Sequence, residues 1–343
     1  MIKNCSAAVS LPGGLVLRQA RPADLDQIGA LLSARGEPDD AVDHRLVVTD
    51  PDAGLSACAV VVDGDRVVST ATLLDEEVHI GGIRLPAGQV ELVATESEYE
   101  GRGLVRALMN WAHERSAASG HLVQAMIGIP YFYRLFGYEY AIDVPQVLKV
   151  NSLPPAGGRS TLRAARPSDI GAMAALQAAA QSGFDVTMPH SAACWRWLLD
   201  HESSNLLVLD HDGTVIATAR TTPPGGETLL AEAEAAARDE AAARDLLSGS
   251  AALAPGDPIR IAHRAGTVTG NAWQEFLDHE PRRTAERYYL RIPDVAALLD
   301  ALRPLFWQRL TAAGIDRTAD EELFQALFPP LTADVLSYYL PYQ

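Results

Sequence analysis

The run Leu17-Arg18-Gln19-Ala20-Arg21-Pro22-Ala23-Asp24-Leu25 returns in the second half of the chain as Leu162-Arg163-Ala164-Ala165-Arg166-Pro167-Ser168-Asp169-Ile170. In both places a short strand leads into a proline with an acidic residue behind it, which starts a helix. Leu25, Ile28, Leu31 and Leu32 continue the first helix at helical spacing, and Met173 and Leu176 continue the second. An apolar hairpin follows each time. The first is Ala57–Val62, the turn Asp63-Gly64-Asp65 and Val67–Leu74; the second is Leu206–Leu209, Asp212-Gly213 and Val215–Ala219. Two matches in the same order argue for tandem copies of one α/β unit, since a chance Arg-Pro-x-Asp would bring no hairpin with it.

The stretch 151–160, with Pro154, Pro155, Gly157 and Gly158, reads as the linker between a first domain at 1–150 and a second at 161–293. From Asp294 the apolar positions Val295, Leu298, Leu299, Leu302, Leu305 and Phe306 predict a helical segment over 294–343, with a second helix at 319–328. The aromatic tail Tyr338–Gln343 is expected to pack on the body of the protein. A length of 343 residues with 48% hydrophobic and 21% charged residues suits two globular domains. The 44 acidic residues outnumber 28 basic ones, and a net charge of −16 speaks against nucleic acid as a partner. Cys5, Cys58 and Cys194 supply neither a disulfide framework nor a CxxC metal site. With no signal-like or membrane-length apolar run, a cytoplasmic, reduced protein without a membrane partner is expected.

Only the first copy carries the stretch from Gln89 to Tyr138. It begins with an apolar strand, Gln89–Thr95, on which Val93 and Thr95 share a face with Gln89 and Glu91 at period two. Gly101-Arg102-Gly103-Leu104-Val105-Arg106 then opens a helix whose buried face carries Leu104, Leu108 and Trp111. Unpaired N–H groups at such a helix start attract phosphate, glycines let the backbone come close, and Arg102 and Arg106 add charge. A Rossmann reading fails, because Arg106 stands where the third glycine belongs. A second strand, Val123–Ile127, leads to an aromatic helix, Tyr131–Phe136, closed by Gly137 in a left-handed cap. Phe132, Leu135 and Phe136 read as core, and Tyr133 as either core or catalytic. In the second copy, 231–247 reads as an Ala-rich charged helix without a Gly-x-Gly start, which makes that copy structural. His79, His113 and His121 show no metal-ligand spacing.

The run Glu100-Gly101-Arg102-Gly103-Leu104-Val105 resembles the signature of the GNAT superfamily of N-acetyltransferases, Arg/Gln-x-x-Gly-x-Gly/Ala between a strand and a helix. Glu100 and Val105 depart from that pattern. The tandem copies, the run Arg102–Met109 and the run Phe132–Tyr138 resemble its enhanced-intracellular-survival (Eis-like) branch. The resemblance implies an α/β fold with mixed α+β sheets, two tandem GNAT-like units and a small helical C-terminal segment. It implies acetyl-CoA as co-substrate and no metal. By position, Val93, Ala94 and Thr95 would pair with the pantetheine arm. Gly101, Arg102, Gly103, Leu104, Val105 and Arg106 would hold the pyrophosphate, Gly128 and Ile129 would line the acetyl end, and Tyr133 would protonate the departing thiolate. In the branch a C-terminal carboxylate takes the amine proton. Here the segment after Asp294 is too short for the branch's sterol-carrier-like sheet, so Glu91, the Gln343 carboxylate and water stay open as the base. The implied reaction is direct acetyl transfer to a primary amine, on a small molecule or a lysine. The alternative, motivated by Glu100, Val105 and the short C-terminal segment, is a CoA-binding or scaffold protein without turnover. A homo-oligomer is left open.

Overall fold

The structure, a computed structural model, describes residues 8–155, 157, 158, 160–279, 287–315, 327, 333 and 334. The first half runs β1 (Val9–Ser10), β2 (Val16–Gln19), α1 (Leu25–Arg35), α2 (Asp40–Thr49), β3 (Cys58–Asp63), β4 (Arg66–Ile80), β5 (Ile83–Thr95), α3 (Leu104–Ala118), β6 (Val123–Met126) and β7 (Glu139–Asp143). Then come β8 (Gln146–Lys149), β9 (Thr161–Ala164), α4 (Ile170–Gln181), β10 (Val186–Thr187), α5 (Ala192–Leu199), β11 (Asn205–His211), β12 (Thr214–Thr221) and β13 (Thr228–Ala235). The chain continues with α6 (Glu240–Leu253), β14 (Ile259–His263), α7 (Val268–Trp273), β15 (Arg287–Arg291), α8 (Val295–Ala301), α9 (Arg303–Ala313) and β16 (Ala333–Asp334).

The repeated Arg-Pro-x-Asp run has the same physical cause in both copies. Arg18, at the end of β2, forks onto the Asp24 carboxylate at 2.6 and 2.9 Å, and Asp24 accepts the Arg21 backbone N–H at 2.7 Å. Arg163, Asp169 and Arg166 repeat this at 2.6, 3.1 and 2.8 Å. One carboxylate thus caps the helix start and ties it to the preceding strand, and the hydrogen bond from its arginine holds each aspartate below the usual carboxylate range.

Two mixed sheets follow from the tandem design. The first has the order β1-β2-β3-β4-β5-β6-β15-β7, with β10 on the far half of β4, and the second the order β8-β14-β13-β12-β11-β9. Strand membership cuts across the linker. β8, from before it, pairs with β14 in the second sheet, while β15, from the end of the second half, is inserted between β6 and β7 of the first. Each copy therefore lends one strand to the other. The copies also share one apolar core, in which Leu25, Ile28 and Val47 meet Met173, Trp195, Trp197 and Val208.

Several sequence expectations change. Residues 231–235 are strand, not helix: β13 is buried along its whole length, and helix begins only at Glu240. Alanine and glutamate favour helix intrinsically, but pairing with β12 and β14 and burial on both faces override that preference. The segment after Asp39 forms α2, and the strand expected at Val67–Leu74 runs on unbroken from Arg66 to Ile80. The helices α8 and α9 fall where the apolar spacing of the C-terminal segment put them, with Leu298, Leu302 and Leu305 buried. The expected helix at 319–328, except Leu327, and the tail 338–343 with Gln343 lie outside the described residues.

Candidate active site

β5 and β6 run parallel but pair only from Ala87–Val123 to Gln89–Ala125, after which the strands part. Residues 90–95 continue as strand, leaving an edge of about 20 Å with no partner strand on the β6 side among the described residues. Within this edge the register with β4 jumps, Thr72 facing Glu91 but Thr70 facing Ala94. Three steps on β5 against two on β4 make a β-bulge, and Leu92 takes a left-handed φ of +48° to accommodate it. The bulge reverses the alternation of faces. Val90 and Val93 pack in the core beneath α3, while Leu92 and Ala94 pack in the core beneath α1. Val93 and Thr95 are therefore out of phase with Gln89 and Glu91, correcting the period-two expectation.

A cleft of about 640 Å³ occupies the opening between the parted strands. Its walls include Val93, Ala94 and Thr95 from β5, Gly101, Gly103, Leu104, Val105 and Arg106 from the turn into α3, and Ile129, Phe132, Tyr133, Leu135 and Phe136 from the far side. Gly101 and Gly103 adopt φ of +73° and +79°, and a Cβ on either would meet no atom within 4 Å. The glycines are thus set by backbone conformation, and the space above them is open for a ligand. The start of α3 has no side-chain cap hydrogen bond, and its first residues, Leu104, Val105 and Arg106, line the cleft. Arg106 lies with its guanidinium 5.4 Å from the Phe136 ring centre, whereas Arg102 lies over Tyr99 at 4.5 Å and donates to the Glu98 carbonyl at 3.0 Å. Arg102 is not among the cleft-lining residues, and Glu100 is.

Tyr133 sits in a 3-10 turn, Phe132–Phe136, bracketed by left-handed Tyr131 and Gly137. It is 5% exposed, and burial, with the nearby Glu91 and Tyr289, pushes its phenol up to about 12. Gly128 explains itself here: a Cβ on it would lie 2.5 Å from Tyr133 Cε2, so only glycine lets the ring approach. Glu91 is 8% exposed and outside the cleft lining. Its carboxylate accepts a hydrogen bond from the Gln89 amide. Burial, reinforced by the charge of Asp40, nonetheless pushes it up to about 8, the pKa of a group that can both take and release a proton near neutrality. Among the described residues no group of three or more His, Cys, Asp or Glu is arranged to hold a metal ion.

The structure thus brings ten of the sequence-selected residues together around one cleft and leaves Glu91, Arg102 and Gly128 outside its lining. The sequence reading missed Arg35 and Tyr99 in the lining and Tyr289 behind it, and it took Phe132, Leu135 and Phe136 for core although all three line the cleft. Arg35, the last residue of α1, lines the cleft and pairs with Glu100. Tyr289 of β15 packs edge-on against Tyr133 at 5.8 Å between ring centres, stacks on Tyr140 at 4.3 Å and donates to the Ile129 carbonyl at 3.0 Å. Nothing local marks Arg35 or Tyr289, since Arg35 meets Glu100 and Tyr289 meets Tyr133 through contacts remote in sequence.

Residues 17–141 match the family model described as an acetyltransferase (GNAT) domain. The fold is similar to a GCN5-related N-acetyltransferase from Kribbella flavida at 22% identity, covering 84% of this chain and 73% of that one with a TM-score of 0.62. A GCN5-related N-acetyltransferase from Anabaena variabilis matches at 16% identity over 84% and 75% of the two chains, with a TM-score of 0.64. Eis1 from Mycobacterium abscessus matches at 18% identity over 84% and 75%, with a TM-score of 0.53. Among curated proteins none matches this chain by sequence.

Proposed function

We propose, from the match of residues 17–141 to an acetyltransferase (GNAT) domain, that the protein is an acetyl-CoA-dependent N-acetyltransferase acting on a primary amine. The observation that carries the reading is the composite cleft: an unpaired strand edge, an uncapped helix N-terminus and a buried phenol share one space. These parts fit the three chemical regions of the cofactor. The edge of β5 from Val93 to Thr95 offers backbone groups to an extended amide arm. The N–H groups opening α3, with Arg106, suit the pyrophosphate. Bound there, the cofactor supplies a thioester whose acetyl group an amine can accept.

The protein's part in the reaction is proton handling and polarisation. Glu91 takes the ammonium proton, directly or through one water, which gives the amine its lone pair. Backbone N–H at the β5 bulge polarises the carbonyl oxygen where charge develops. Tyr133, kept protonated across the neutral range by its raised pKa, gives its hydroxyl proton to the departing sulfur. Titration calorimetry with acetyl-CoA, followed by a panel of amines read out as released thiol, tests the reading. Acetyl-CoA binding with thiol release is expected. Binding with no turnover on any amine would instead favour a scaffold that kept the cofactor site, and no binding at millimolar acetyl-CoA would remove the cofactor site altogether.

A further inference from the structure

Glu100 puts a carboxylate on the cleft wall one residue before the glycine turn that, in the reading above, receives phosphate. Uncompensated, it would repel that anion. Its carboxylate is instead ion-paired with Arg35 Nη2, and Arg35 Nη1 donates to Ser97 Oγ at 2.8 Å. The two residues are far apart in the chain, and both line the cleft. Arg35 closes α1, outside the glycine turn and its flanking helix. A guanidinium carries five N–H donors, and the bonds to Ser97 and Glu100 leave others free to meet an anion while fixing the plane of the group.

We infer that Arg35 is an anion-binding residue of this cleft, offsetting the negative charge of Glu100 and offering its remaining N–H groups to the phosphates of CoA. The charge that the glycine turn lacks at Glu100 is supplied from α1. Glu100 then acts as an electrostatic brake that Arg35 offsets, and the effect of each residue depends on the presence of the other. This rests on the cofactor reading above.

A double-mutant cycle tests it: Kd for acetyl-CoA by calorimetry, at low and at moderate salt, for the wild type, Arg35→Ala, Glu100→Gln and the double variant. Arg35→Ala is expected to weaken binding roughly tenfold, a loss of about 1.4 kcal/mol, and the loss should shrink as salt rises. Glu100→Gln should bind a few-fold more tightly than the wild type, and the double variant should recover most of the affinity lost by Arg35→Ala. Arg35→Ala within twofold of the wild type would overturn the proposal, as would a double variant no better than Arg35→Ala or a Glu100→Gln weaker than the wild type. Thermal unfolding without ligand checks that each variant is folded, as expected for a half-exposed surface pair. If the wild type itself does not bind acetyl-CoA, the cofactor reading falls and the pair's role with it; binding that is equal in all four proteins sinks the pair alone.

Discussion

Glu91 and Glu232 occupy the same register in the two copies, each four residues beyond the start of its strand's parallel ladder, and their environments set them apart. Burial disfavours the charge of Glu232, but Arg220 at 2.7 Å and His190 at 2.7 Å outweigh it and hold the carboxyl at about 2. Glu91 is as buried, has an amide rather than a cation as its hydrogen-bond donor, and stands at about 8. The second copy has neutralised a buried acid that the first leaves able to titrate, which is the asymmetry expected if only the first performs proton transfer. Two outcomes follow. Because the folded pKa lies above the unfolded value, the native state loses stability relative to the unfolded chain as pH rises from about 4.5 towards 8. Glu91→Gln should therefore unfold at a higher temperature than the wild type at pH 9, by roughly 2–4 kcal/mol of stability, with the gap closing near pH 4. The same variant should lose the rising limb of kcat/KM centred near pH 8. Tyr133→Phe should lower kcat roughly 10²–10⁴-fold with acetyl-CoA affinity nearly unchanged; single-turnover kinetics beside calorimetry separate the two, and an unchanged rate would remove Tyr133 from the chemistry.

At the scale of elements the cleft is a product of two interruptions, the parting of β5 from β6 and the bulge at Leu92. The glycine turn and the aromatic turn were legible because each depends on local chemistry, positive φ at Gly101, Gly103 and Gly137. The bulge was not, since Leu92 carries no mark of a left-handed residue and strict alternation is the sequence's simplest reading. Two glycines on these elements should fail differently when changed to alanine. Gly103→Ala forces a side chain into a left-handed position at the start of α3, costing about 1–2 kcal/mol locally, and should weaken acetyl-CoA binding more than it slows the chemical step. Gly128→Ala drives a methyl against the Tyr133 ring and should lower kcat while leaving acetyl-CoA binding near the wild-type value. Calorimetry and single-turnover rates on the pair distinguish the patterns, and identical behaviour would argue against separate roles for the two turns.

For the whole molecule the exchanged strands matter most. Without β15, β6 and β7 have no common neighbour, and Tyr289, fully buried between Tyr133 and Tyr140, leaves a hole beside the phenol. A chain ending at residue 150 should accordingly lack a cooperative thermal transition and gain no stability from acetyl-CoA, although it contains every residue of the glycine turn. Calorimetric scanning with and without ligand checks this; a truncated chain that melts sharply and binds like the full protein would show that the second copy is dispensable. The full chain should melt in a single transition, because the core around Leu25, Ile28, Trp195 and Val208 belongs to both copies.

By itself the sequence determined the repeating unit, its helix starts and hairpins, the glycine turn and the tyrosine-bearing turn, because each is dictated by residues within a few positions of one another. Only the tertiary structure decided that β13 is a strand despite its alanines, that β8 and β15 change sheets, that Glu91 titrates near neutrality while Glu232 does not, and that Arg35 meets Glu100. The reason is common to all four. Burial, pairing and charge compensation depend on partners tens to hundreds of residues away, and no local pattern records which partner the fold will bring.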